Sequence, residues 1–269
     1  MTAHAGEIAA RPPKPRPSLA LPIGFVAFVV LTWASVSEEF GIGLEIDKLI
    51  KSLGAGEQVL AELIRPNWEF IPQTVDPMIE TFQMAVVASV IGCAVALPVA
   101  FLASRVTSPN LAVYLADRGI LSVVRAIPDF LYALIFVAAV GLGPLPGIAA
   151  LILFNIGVVA KLQSETVDGV DVGPIEAARA AGGTRIQTTR WAVLPQVLPN
   201  YVAYSLYTFE LNIRASTVLG IVGAGGIGRL LLREYKFFNW SNVSVIIVEL
   251  FVLVFVIEMV SIALRRRLV

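Results

Sequence analysis

Two pairs of opposite charge stand four residues apart in otherwise apolar sequence, Glu210 with Arg214 and Arg125 with Asp129. Four residues is about one helical turn, so each pair can close on one helix face. Neither arrangement breaks bonds by itself; its chemistry is charge recognition. An arginine at the centre of a membrane helix costs at least about 2.5–3.5 kcal/mol on insertion scales, so Arg214 should face protein or a water-filled cavity. Two compatible readings follow, an internal pair with Glu210 or a cation on the path of an anionic solute, supported by Asn212, Ser216 and Thr217. For Arg125 and Asp129, spacing around Pro128 alone accounts for an internal pair at a kink. Glu249 and Glu258 lie in a late apolar run and could carry protons, although Glu258 sits near its end.

Several chemistries are excluded. The single cysteine, Cys93, lies in an apolar run without a ligand-spaced companion, and the single histidine, His4, sits near the start. No catalytic residues and no metal site are expected on this basis. Gly223-Ala224-Gly225-Gly226-Ile227-Gly228 fits G-x-G-x-x-G, but a dinucleotide site needs a strand before it and an acid on a ribose about 20 residues later. Here the run follows a membrane span, and Glu249 falls inside another, so a turn at the outer mouth is the better reading. No P-loop pattern occurs, so any ATP hydrolysis must come from a partner. With 20 basic and 20 acidic residues, charge balance offers nothing for a nucleic-acid partner.

The elements that position these residues are membrane helices. Of 269 residues, 57% are hydrophobic and only 15% charged, against about 25% charged in a soluble domain. Residues 1–18, rich in proline and basic side chains, read as a disordered basic tail. The apolar run 19–36 is long for a signal peptide and reads as an uncleaved first span. Within 37–73, Leu44, Ile46, Leu49, Ile50 and Leu53 recur at helical spacing among charges, which predicts an external amphipathic helix. Further spans are expected at 75–103, kinked by Pro98, at 118–141, from a Gly/Pro loop at 142–147 to 162, at 197–222 and at 241–264. Residues 223–240 are expected as a loop. The fold is thus an all-α polytopic membrane protein with about six transmembrane helices, the core spanning 74–264 and 265–269 forming a basic end.

Six spans place both termini on one side. That side gathers the N-terminal basic residues, Arg105, Arg118, Lys161, Arg179, Arg185, Arg190 and the Arg265-Arg266-Arg267 triplet. It is about twice as rich in Lys and Arg as the other, so the positive-inside rule makes it cytoplasmic.

One polar interruption, within a cytoplasmic segment at 164–196, breaks the apolar pattern. Pro174 suits the first turn of a short helix and Gly182-Gly183 its end. Thr184 suits the cap of a second helix to about Val193, which Pro195 should terminate. Glu176-Ala177-Ala178, three residues, Gly182, then Leu194-Pro195 twelve residues later is similar to the EAA loop of ABC importer permeases. The consensus isoleucine two residues before Leu-Pro is Ala192 here. Residues Arg214 to Gly228 are similar to a segment of phosphonate-type permeases in the MetI-like superfamily, and Arg125-Ala126-Ile127-Pro128-Asp129 also resembles that group.

The resemblance implies a type I importer transmembrane domain in the cytoplasmic membrane of a bacterium. It implies a second copy of the chain, two ATP-binding cassette subunits that carry ATP and Mg, and an extracytoplasmic solute-binding protein, with lipid around them. Glu176, Ala177, Ala178, Arg179, Gly182, Leu194 and Pro195 would then meet the ATPase. Arg214, Glu210, Asn212, Ser216 and Thr217 would line the path, and Arg125, Asp129, Gly223, Gly225 and Gly226 would gate it or pair helices. The implied solute is a phosphonate, phosphite, hypophosphite or phosphate. An ion-coupled secondary transporter is the rival class, suited by Glu249 and Arg214; a permease for another solute is the nearer alternative.

Overall fold

A computed structural model describes residues 20–37 and 46–266. The expected tail at 1–18 and Arg267 of the basic end lie outside the described residues. Two compact units divide the chain, Met1–Gln58 and Val59–Val269. The first contains α1, Ala20–Val36, and most of α2, Ile46–Leu63. At 1.5 Å per residue α1 reaches only about 26 Å, slightly short of a hydrocarbon core.

Every regular element among the described residues of the second unit is a helix. A 3-10 turn, Trp68–Phe70, leads into α3, Ile71–Leu102, in which Pro77 and Pro98 lie without ending the helix. Then come α4, Leu111–Ala126, α5, Asp129–Val140, and α6, Pro144–Asp168. After α7, Gly173–Ala180, and α8, Arg185–Thr188, a π turn at Thr189–Val193 runs into α9, Leu194–Ile221. The chain closes with α10, Ile227–Lys236, and α11, Trp240–Arg265.

By length and apolarity, Trp68–Leu102, α6 and α11 can each cross a membrane, and α4 with α5 meets the same criterion only when the bent pair is taken together. The 28-residue α9 is about 42 Å long, enough to span, although Glu210, Asn212 and Arg214 interrupt its apolar run.

Small residues let these helices meet. Ala85, Ala88, Ala96 and Ala100 of α3 are fully buried, as are Ala150 and Ala160 of α6, the helix that packs most extensively against α3. Close backbone approach is how membrane helices associate when lipid is as apolar as their side chains. At the crossing, Asn155 donates from Nδ2 to the Ala88 carbonyl at 2.9 Å. Gly92 makes room for it, since a Cβ there would lie 2.6 Å from Asn155 Cβ.

Four local expectations are corrected. The third span is not one helix but α4 and α5, bent by 85° at Ile127 and Pro128. Ile127 is extended, at φ −90° and ψ 123°, because the residue before a proline is driven out of the helical region. The fourth span starts at Pro144, so the 142–147 loop is shorter than expected. The 223–240 loop contains α10, which buries Ile227 and Leu230 against Phe70 and Ile246. Finally, Pro195 does not end the helix before it. Leu194 N–H reaches back to the Thr189 carbonyl, a π-type bond, and Pro195 then sits in the first turn of α9, where its missing N–H matters least.

Candidate functional site

The polar interruption folds as a helix, a glycine bend and a second helix. Pro174 lies in the first turn of α7 and Glu176 beside it, where a carboxylate suits the helix N-terminus. At the other end the Gly182 N–H donates to the Arg179 carbonyl at 2.9 Å and the Gly183 N–H to Ala178 at 3.0 Å. That is a complete Schellman motif, and it needs Gly182 at φ +81°. Thr184 then caps α8 with a reciprocal box: its hydroxyl accepts from Gln187 N–H, and Gln187 Oε1 accepts from Thr184 N–H at 2.8 Å.

Glu176, Ala177, Arg179, Gly182 and Pro195 are exposed, Ala178 and Leu194 half-buried. Ala192 is buried with Val167, Ile175, Val193 and Val197, so its small side chain belongs to the support of the segment and not to its outer surface. Sequence reasoning missed two apolar groups on that surface, Ile186, 80% exposed, and Trp191, 71% exposed. An indole in a polar segment was the available signal.

Asp168, at the end of α6, ties the segment to the bundle. It accepts from Ser104 Oγ at 2.6 Å and Arg105 N–H at 2.7 Å, and pairs with Arg118 at 3.3 Å. No local pattern announces this clamp, because its three partners lie 50, 63 and 64 residues away.

Arg214 and Glu210 form the expected pair at 2.5 Å, with side chains 51% and 9% exposed. The guanidinium borders a cavity of about 430 Å³ between α9 and α11, together with Thr217, Phe251, Phe255 and Glu258. Glu258 therefore shares a cavity with Arg214, a relation that sequence did not reveal. Asn212 and Ser216 do not share that face. Two residues along a helix is a turn of about 200°, so they point into the protein. Both are fully buried: Asn212 Nδ2 donates to Ser89 at 2.7 Å and Ser216 Oγ to the Ile213 carbonyl at 2.9 Å.

Arg125 and Asp129 do not form the expected ion pair, and Arg125 makes none among the described residues. With the helix broken between them, i,i+4 spacing no longer stacks the two side chains, and both border a cavity at the break.

Gly223, Gly225 and Gly226 adopt φ of +92°, +86° and +69°, making a tight turn from α9 into α10. The turn is tied to its neighbours: Gly143 N–H donates to the Gly223 carbonyl at 3.1 Å, and the N–H of Ile227, which follows the turn, donates to Thr81 Oγ1 at 2.7 Å. A helix precedes the turn, so the strand required for dinucleotide binding is missing.

The family model for the inner membrane component of binding-protein-dependent transport systems matches residues 96–269. The chain belongs to this family. The match covers the 164–196 segment, α9 and both helices after it. Among curated proteins, the phosphate-import permease protein PhnE of Mycolicibacterium smegmatis is 42% identical over 78% of this chain, which spans 40% of that relative's length. The phosphite transport system permease protein PtxC of Stutzerimonas stutzeri is 37% identical, with 83% of this chain and 81% of the relative aligned. Among solved structures, an inward-facing MetNI methionine ABC transporter chain superposes at TM-score 0.66 and 24% identity, over 76% of this chain and 99% of that one. That likeness is one of fold: the membrane-spanning MetI-like architecture.

Proposed function

We propose that the chain is the membrane subunit of an ATP-driven importer that carries a small phosphorus oxyanion across the bacterial inner membrane. It works with a second copy of itself, two ATP-binding cassette subunits that bind ATP and Mg, and an extracytoplasmic solute-binding protein. Both termini face the cytoplasm. The solute class rests on the names of its relatives, a phosphate-import permease and a phosphite permease.

The observation that carries the reading is the exposed helix–bend–helix at Gly173–Ala180 and Arg185–Thr188, with Ile186 and Trp191 uncovered beside Glu176 and Arg179. Burial of these two side chains against a protein partner would remove apolar surface from water. ATP-driven closure of the ATPase pair pulls on this segment, and the spans rock between outward and inward openings. Arg214 faces the path of the anion with Glu210 and Thr217 beside it, while Gly223, Gly225 and Gly226 close its outer end. Co-purification tests the reading: wild-type chain should retain its ATPase through detergent extraction, and a chain that never holds one contradicts it.

A further inference from the structure

The α4–α5 break divides a helix pair that is apolar enough, taken together, to cross a membrane. Gly157, on its wall, is half way along α6, and a Cβ there would press to 3.0 Å from Arg125 Cγ. Glycine at 157 thus lets the aliphatic stem of Arg125 lie on α6, and Arg125 lines a cavity of about 250 Å³. Arg125 and Asp129 are the charged residues lining it; Pro128, Phe154 and Val158 supply apolar wall.

The break itself is stabilised. Pro128 has no N–H to give the Val124 carbonyl, and the Tyr132 hydroxyl donates to that carbonyl instead, at 3.0 Å. Asp129 receives the Phe130 N–H at 2.9 Å through Oδ1. Arg125 is exposed and Asp129 half-buried, and ionisable residues on an apolar candidate span without an ion pair among the described residues are candidates for a functional partner. Broken helices that line a cavity are where secondary transporters place solute.

We propose that this cavity is a solute contact on the translocation path. The Arg125 guanidinium holds an anionic oxygen of a monoprotonated phosphorus oxyanion, and the Asp129 carboxylate accepts its P–OH. The two side chains are complementary to such an ion because it presents both an acceptor and a donor; a fully deprotonated oxyanion presents acceptors only and meets repulsion from Asp129. The site rests on the phosphorus-oxyanion reading above.

The test uses membrane vesicles containing the full chain with its ATPase and binding protein, measuring labelled phosphite imported and ATP hydrolysed together. Arg125→Gln is expected to lower phosphite imported per ATP by about tenfold, the effect of one lost charge-assisted hydrogen bond. Arg125→Lys keeps the charge but not the forked geometry, and should recover part of the loss. If Arg125→Gln fails to assemble with the ATPase, Arg125→Lys decides: a reduced ratio supports the site, and a wild-type ratio overturns it. Wild-type ratios in both variants overturn the site and leave the importer standing. Wild-type vesicles that import no phosphorus oxyanion overturn both.

Discussion

Gly183 donates its amide proton to the Ala178 carbonyl at 3.0 Å, closing the end of α7 over Gly182 at φ +81°. Together with the Gly182 N–H to Arg179 carbonyl bond at 2.9 Å, it sets the angle at which α7 hands over to the capped start of α8. An ordinary L-residue at that φ costs roughly 1–2 kcal/mol, and because no atom lies within 4 Å of a Cβ at 182, an aspartate there also projects its charge outward from the bend, where a docked partner would sit.

Gly182→Asp should therefore lose the ATPase while still inserting into the membrane. The check is co-purification beside a measure of membrane-embedded protein; a normal complex from the variant contradicts the assignment of this bend to docking.

Gly228→Ala tests the packing of α10 on α9. A Cβ at 228 would lie only 1.9 Å from the Thr217 carbonyl oxygen, which belongs to a helix and cannot swing aside. Overpacking of this kind costs about 1–3 kcal/mol or more. The variant should melt several degrees below wild type in detergent.

Glu234 carries a pH dependence. Burial pushes its carboxyl up, but hydrogen bonds from Asn242, Asn239 and Arg233, with the Arg233 charge, outweigh burial and hold it below the usual carboxylate range. A lowered folded value stabilises above the unfolded value, about 4.3 for glutamate, and that stability disappears as pH falls through the folded value. In melting curves, wild type should exceed Glu234→Gln most above the unfolded glutamate value of about 4.3, the gap shrinking as pH falls below it. A gap that widens in acid contradicts the sign.

Arg214→Ala removes the cation from the α9–α11 cavity and leaves Glu210, already 9% exposed, without its partner. Uptake should fall by about tenfold or more, as expected when a charged hydrogen-bond donor is lost, while the ATPase remains bound. Unchanged uptake reduces the pair to a structural role.

What could be read in advance followed how local the cause was. Gly182, Thr184 and the Glu210–Arg214 pair were legible because caps, glycine bends and i,i+4 pairs depend on near neighbours. The break at Pro128 was not, since a proline inside an apolar run can either kink or divide a helix. Its outcome depended on Tyr132 being placed to satisfy Val124. Helix α10 was hidden behind three glycines, although Ile227, Leu230 and Leu231 have amphipathic spacing. Asn212 and Ser216 were assigned to the path by proximity along the chain, where helical phase turns them inward. Asp168 was invisible because its contacts are entirely tertiary.

The central claim is that ATP, through a partner docked at 164–196, drives import of a phosphorus oxyanion. It is tested most directly by labelled phosphite uptake into sealed vesicles holding the chain, its ATPase and its binding protein, with and without ATP and a proton ionophore. Glu249, whose Oε2 is buried without a hydrogen-bond partner among the described residues, makes the comparison informative. The account predicts uptake that requires ATP, survives the ionophore and persists in Glu249→Gln. Uptake that proceeds without ATP, collapses with the ionophore and vanishes in Glu249→Gln would contradict it.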